Sequence, residues 1–162
     1  MHTSRLFAVG GVIVGVIGLF MTALRTDGQG TLVALNAANP AFPDGIPTIW
    51  GGLATWAQIV LVILILAVLV LALRPDRSQK FSQTDGAITA VIGVALLAYA
   101  VVKWMEAGDE AETLAGAFGQ AFAGGFIPEA YSVGTGIGFL VLIVGTVLVA
   151  AGGIIGMQSD SA

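Results

Sequence analysis

Four long apolar runs, separated by polar segments, dominate the pattern along the chain. The first extends from about Leu6 to Leu24, with no charge between Arg5 and Arg25. The second, from about Ile49 to Leu73, contains a stretch from Ile59 to Leu73 that is almost wholly Val, Ile and Leu. The third runs from about Gly86 to Met105, with seventeen uncharged residues before Lys103. The fourth, from about Ala130 to Met157, carries no charge at all. A helix needs about 20 such residues to cross a hydrocarbon layer about 30 Å thick at about 1.5 Å per residue. Each run therefore predicts a transmembrane helix. A closed barrel would need alternating strands of about ten residues, a period these runs lack. The fold class expected is all-α: a polytopic integral membrane protein, a four-transmembrane-helix bundle forming one membrane domain over residues 1–162. The expected spans are 6–24, 49–73, 86–105 and 130–157, joined by outer segments 25–48 and 106–129 and an inner loop 74–85.

Composition excludes whole classes of function. With 57% hydrophobic and 10% charged residues and a mean hydropathy of +0.96, the chain is far from the roughly 25% charged residues of a soluble domain. A soluble enzyme and a disordered chain are set aside. A nucleic-acid binder is excluded as well, because the net charge is −4 and no basic patch exists.

Charge then orients the spans. Four spans put both termini and the 74–85 loop on one side, which collects Arg5, Arg74, Arg77 and Lys80, against Arg25 and Lys103 on the other. The excess of Lys and Arg marks the cytoplasmic side, so both termini are expected in the cytoplasm, with the protein in a cell inner membrane. Acidic residues divide the opposite way: Asp76, Asp85 and Asp160 inside; Asp27, Asp44, Glu106, Asp109, Glu110, Glu112 and Glu129 outside. The acidic excess is an outer-face property. Arg5 followed by an apolar run resembles a signal peptide, but the run exceeds a signal h-region and no small-x-small site precedes Arg25, so an uncleaved signal anchor is expected.

The 23 glycines gain meaning from their spacing, since small residues let helix backbones approach in lipid. Gly11, Gly15 and Gly18 form one stripe on the first span, and Gly86, Ala90, Gly93 and Ala100 a comparable one on the third. On the fourth, Gly138, Gly145 and Gly152 recur every seven residues, with Gly134 and Gly156 extending the pattern; this period suits left-handed packing near +20°. The stripes seal the helices within one monomer or dock another subunit. The second span, clothed in large aliphatics, is expected to have the largest lipid-facing area.

The first outer segment holds Pro40, Pro43 and Pro47 and a Pro-Asp-Gly turn at 43–45, with a short helix expected over Thr31–Ala38. Trp50 and Trp56 mark the outer headgroup level. In the second outer segment Asp109, Glu110 and Glu112 fit a first helical turn, and Leu114, Phe118 and Phe122 follow at i, i+4 and i+8. This predicts a separate short amphipathic helix of about four turns, ended by Gly124-Gly125. Membrane-surface helices usually carry basic polar faces; an acidic one suits a partner subunit, or is simply solvated. These six residues are the partner-docking candidates.

Chemistry is sparse. There is no cysteine, and the single histidine is His2, so thiolate metal sites and intramembrane haem ligation are excluded. Met105 and Met157, at span ends, read as packing. Glu106, Asp109, Glu110 and Glu112 lack the spacing of an EF-hand loop. Neither a catalytic set nor a metal or cofactor is expected. Gln58 is the main polar residue within the second span, read as an inter-helix hydrogen-bonding group or, alternatively, a lining of a path. Thr89, Thr135 and Thr146 can bond back to helix carbonyls, and Lys103 with Glu106 forms an interfacial ion pair. The Gly134–Gly138 run, with no preceding strand expected, is not a nucleotide loop. Four spans with tryptophans beside a longer first outer segment are similar in layout to claudins. That family's Trp…Gly-Leu-Trp-Cys-Cys pattern is not met by Trp50-Gly51-Gly52-Leu53, so no residue is carried over. The expected function is a non-catalytic membrane subunit that stabilises or assembles a larger bacterial inner-membrane complex through its glycine faces and acidic outer segment, its partners being lipid and other membrane subunits. The alternatives are a small self-associating carrier or pore, and an accessory protein holding a quinone or carotenoid.

Overall fold

The computed structural model describes residues 1–158; Asp160 lies outside them. The chain is mostly helical, in the order α1 (Thr3–Leu19), β1 (Leu24–Thr26), α2 (Gln29–Ala38), α3 (Thr55–Ala72), α4 (Gln83–Ala123), β2 (Val133–Thr135) and α5 (Gly138–Met157). Three helices, α3, α4 and α5, are long and apolar enough to cross a membrane; α1 is an apolar helix of 17 residues.

The centre of the bundle is α5, which packs along α1 on one side and α4 on the other, antiparallel to both. Glycine makes both approaches possible. On the α1 side, a Cβ placed on Gly11 would lie 2.6 Å from the Gly145 carbonyl, and one on Gly18 would lie 2.6 Å from the Leu142 nitrogen. From α5 outward, a Cβ on Gly145 would run into the backbone of Gly15, one on Gly152 would lie 2.6 Å from the Ser4 carbonyl, and one on Gly138 would lie 2.9 Å from that of Gly18. Gly15 differs from its neighbours on the stripe, because its own Cβ would meet only Leu142 Cδ1 at 3.8 Å. On the α4 side, Gly86, Ala90 and Gly93 face Gly153 and Ala150, where a Cβ on Gly93 would sit 2.6 Å from the Ala150 Cα. Gly156 belongs to neither seam; its Cα rests on the Phe81 ring. Gly134 has open space around it.

Gly153, the glycine of α5 on the α4 seam, is a position that seven-residue spacing passes over. Adjacent residues on a helix point about 100° apart, so the Gly152-Gly153 pair serves two neighbours at once.

Helix α3 is held differently. It meets α1 and α4 over short stretches, presents Ile59, Ile63, Leu66 and Val70 outward, and is fastened at both ends. At its C-terminus the Arg5 guanidinium, 3% exposed, donates to the carbonyls of Leu71 (3.0 Å), Ala72 (3.2 Å) and Gln79 (2.9 Å) and lies 5.0 Å over the Phe81 ring. A cation there satisfies orphan carbonyls and the negative end of the helix dipole. Nearby, Arg74 pairs with Asp85 at 2.8 Å, in the first turn of α4 beside its Ser82 cap. At the other end Trp50 donates its N–H to the Leu19 carbonyl and Ile49 to that of Met21.

Two expectations about elements need correction. The short amphipathic helix of the second outer segment is not separate: residues 106–123 continue the third apolar run as one 41-residue helix. Nothing between Met105 and Ala123 breaks it, for there is no proline and its glycines are single. At about 1.5 Å per residue α4 is about 60 Å long, twice a hydrocarbon layer. It ends in a Schellman motif, with Gly125 at φ +75° and the Phe126 N–H bonded to the Ala121 carbonyl at 2.9 Å. The other three apolar helices are shorter than their runs. Residues 20–24, 49–54 and 130–137 lie outside them, and much of this backbone pairs instead. β1 and β2 are antiparallel with Leu24 opposite Thr135, Thr22 bridges Thr48, and Gly136 donates to the Ala23 carbonyl. Gly136 packs directly on the Thr22 carbonyl, leaving no room for a side chain. Extended pairing wins here because three segments of β-branched residues and glycine meet at one end of the bundle.

That end of the molecule, opposite Met1 and Met157, carries a head. The outer part of α4, α2 and the loops around them enclose a small core of Leu32, Phe118, Ala121 and Ile127, with Tyr131 edge-on to Phe118 at 5.4 Å between centroids. Gly28 admits the Tyr131 ring, and the Thr31 hydroxyl bonds the Tyr131 hydroxyl at 3.2 Å. The Trp104 Nε1–H donates to Thr135 Oγ1 at 3.2 Å, tying α4 to β2.

Candidate functional site

A wide concave feature lies in the head, between the outer part of α4 and the proline-bearing loop Asn39–Pro47. It is an open groove of about 790 Å³. The loop holds its shape through local bonds: Asn39 Oδ1 accepts from the Ala41 N–H at 3.0 Å, and the Asn36 side-chain amide donates to the Phe42 carbonyl. The floor is apolar, made by Leu24, Leu32, Phe42, Ile46 and Leu114. Adjacent Asp109 and Glu110, with Thr113 about one turn further along α4, form the rim. Thr113 bonds back to the Asp109 carbonyl at 2.9 Å, so both carboxylates stay available. Among the described residues neither Asp109 nor Glu110 forms an ion pair, and no lysine or arginine lines the groove. The nearest base along α4, Lys103, is engaged by Glu106 at 2.6 Å and lies 5.8 Å from the Tyr99 ring centroid.

The docking candidates divide. Asp109, Glu110 and Glu112 are exposed on α4, and Leu114 is half-buried beneath the groove. Phe118 is fully buried in the head core and offers nothing to a partner. Its i+4 position from Leu114 was legible, but the α2 and Tyr131 surfaces that cover it come from distant sequence. Phe122 is half exposed. The loop side of the groove was not anticipated; the cluster of three prolines was its only signal.

Gln58 bonds to a loop carbonyl rather than to a neighbouring helix of this chain. Because α3 begins at Thr55, Gln58 lies in its first turn and donates to the Trp50 carbonyl at 2.9 Å, closing the loop before the helix. Thr146 bonds back to the Ile143 carbonyl at 2.8 Å, whereas the fully buried Thr89 hydroxyl has no hydrogen-bond partner. Between the four apolar helices a cavity of about 40 Å³, lined among others by Gly15, Leu61, Leu96, Tyr99 and Thr146, has room for little more than a water molecule. A shallow trough of about 190 Å³ opens between α3 and α4, lined by Trp56, Ala57, Val60, Leu64, Ala95 and Tyr99. Among the described residues no three His, Asp or Glu side chains converge as a metal site.

The arrangement suits binding: an apolar floor, unpaired rim acids and a rigid helical wall. Compared with protein-family models, with curated proteins and with solved structures, the chain has no match.

Proposed function

We propose that this chain is a non-catalytic subunit of a larger bacterial inner-membrane complex, with four transmembrane helices, cytoplasmic termini and its head outside, and that it holds its partner through the head. Three things support the topology. Helix α1 runs beside α5 from Ser4–Gly152 to Gly18–Gly138, so it shares the depth of a helix able to span. Arg5, Arg74, Arg77 and Lys80 gather at the end with the termini, the bias expected of a cytoplasmic face. The unpaired acids gather at the other.

The glycine stripes no longer recommend themselves as partner surfaces. Gly11, Gly18, Gly86, Gly93, Gly138, Gly145 and Gly152 all abut backbone or side chains of this same chain. The observation that carries the proposal is the 790 Å³ groove with two carboxylates on its rim, built on a helix that extends well past the length a membrane needs. The test is crosslinking in native membranes followed by purification in mild detergent. A defined partner, joined at head positions such as Thr113, is the expected result. A monomer with no crosslinked partner would overturn the proposal.

A second reading, an accessory protein holding a quinone or carotenoid, has the trough beside Trp56 and Tyr99 in its favour. Organic extraction of the purified protein tests it; an extract without pigment or quinone would remove it.

A further inference from the structure

We infer that the head groove is a receptor for a basic, amphipathic peptide segment of the partner, laid along α4 with apolar side chains on the floor and Lys or Arg side chains on Asp109 and Glu110. The inference rests on the subunit reading and adds the chemistry of the contact.

Shape comes first. The groove does not close at its far end: Asn39, Phe42 and Ala117 also line an adjoining trough of about 420 Å³ that continues to Gln120, Ala121 and Phe126. From Asp109 to Ala121 the combined channel follows α4 for about 18 Å. An extended chain at about 3.3 Å per residue would place about five or six residues there. A long open channel fits a chain better than a compact small molecule, which prefers an enclosed pocket.

Charge then selects the occupant. Asp109 and Glu110 face the groove unpaired, and Asp44 sits in the opposing loop between the lining residues Pro43 and Gly45. No lysine or arginine lines the groove, and only Glu110 lies in the field of Lys103 on the neighbouring face, so the rim favours an occupant that carries basic side chains. The apolar floor explains why a simple cation would leave most of the site unused: Phe42, Ile46 and Leu114 remain partly exposed at a surface already part of the head core. Floor burial supplies affinity and rim charge supplies selectivity.

The experiment uses the full chain in nanodiscs of zwitterionic lipid, with empty nanodiscs as the blank. The probe is a labelled six-residue peptide alternating leucine and lysine, and binding is read by fluorescence anisotropy. The peptide is expected to bind wild type, and the leucine–glutamate analogue is not. Asp109→Asn with Glu110→Gln, both on exposed positions, should weaken binding about three- to tenfold, and added salt should weaken wild type similarly. Ala117→Trp, which fills the channel where its two halves join, should abolish binding. A thermal midpoint matching wild type establishes that each variant is folded. Failure of the lysine peptide to bind, equal binding of the lysine and glutamate peptides, or unchanged binding by Ala117→Trp would each overturn the inference. Spermidine competing as well as the peptide would assign the rim to small cations and overturn it too. If the native partner still co-purifies with folded Ala117→Trp, the groove assignment falls while the subunit reading stands.

Discussion

Two neighbouring parts of this bundle hold helices together in different ways. Helices α1, α4 and α5 approach so closely that their backbones touch, and glycine or alanine occupies the points of contact along both seams. Helix α3 stands beside them in a coat of large aliphatics, meets them over short stretches, and is fastened by polar bonds at its two ends. The difference follows from the solvent. In lipid no hydrophobic force draws one leucine surface to another, so affinity between helices comes from close packing and from hydrogen bonds. A helix without small residues has the second route only, and it operates where orphan backbone groups are found, at helix ends.

The contrast can be broken most severely at Gly145. Even Gly145→Ala drives a methyl group into the backbone of Gly15; overpacking typically costs about 1–3 kcal/mol, and the upper end is expected at a site that cannot yield. Unfolding of the reconstituted protein with increasing SDS should show the loss in all of α1, α4 and α5. A variant as stable as wild type would mean the seam is slack.

Arg5→Ala comes next. It removes three hydrogen bonds from a buried guanidinium, for which about 2–3 kcal/mol is expected, and the damage should be local. Limited proteolysis between residues 73 and 82 should accelerate while the α1–α5 seam survives. Arg5→Lys should recover only part of the loss, since an ammonium lacks the planar fork that reaches Leu71, Ala72 and Gln79 together. If cleavage is unchanged, α3 has another anchor.

Gly15→Ala sharpens the comparison from inside the seam. It lies on the stripe of Gly11 and Gly18, yet its Cβ would have only an ordinary contact with Leu142. A change within about 0.5 kcal/mol is expected in the same SDS titration, against a large loss for Gly11→Ala; equal losses would refute the geometry. Opposite in sign to the loss at Gly11 is Gly116→Ala on the outer part of α4. Nothing lies within 4 Å of the added methyl, so helix propensity should raise the thermal midpoint, by about 0.5–1 kcal/mol of stability.

These cases also mark what the sequence makes legible. Apolar runs long enough to span are visible by eye, because lipid imposes one length on every helix that crosses it. Glycines at a constant interval reveal that a face exists, but not which helix it meets. Neither the open side of Gly15 nor the second seam at Gly153 follows from spacing. Helix ends were less legible: Gly134, Thr135 and Gly136 read as the start of a span until Thr22 and Ala23 are seen beside them. The groove is hardest of all, since its walls lie about seventy residues apart, at Asn39–Pro47 and Asp109–Ala117. Arg5 is a case of a correct residue with an incomplete role. Its charge orients the chain, while its burial under α3 depends on residues 71, 72 and 79.

The position of α5 at the centre has a consequence for how the protein is made. Among the described helices the hub is the last in chain order, and its partner α1 is the first. At synthesis rates of about 5–20 residues per second, Gly11, Gly15 and Gly18 of α1 stay uncovered by α5 for roughly seven to thirty seconds. The helix that completes both seams is made after α1, α3 and α4. Assembly of this bundle is thus a late, concerted event, and a chain interrupted before Gly138 retains α1 and α4 without the surface that joins them.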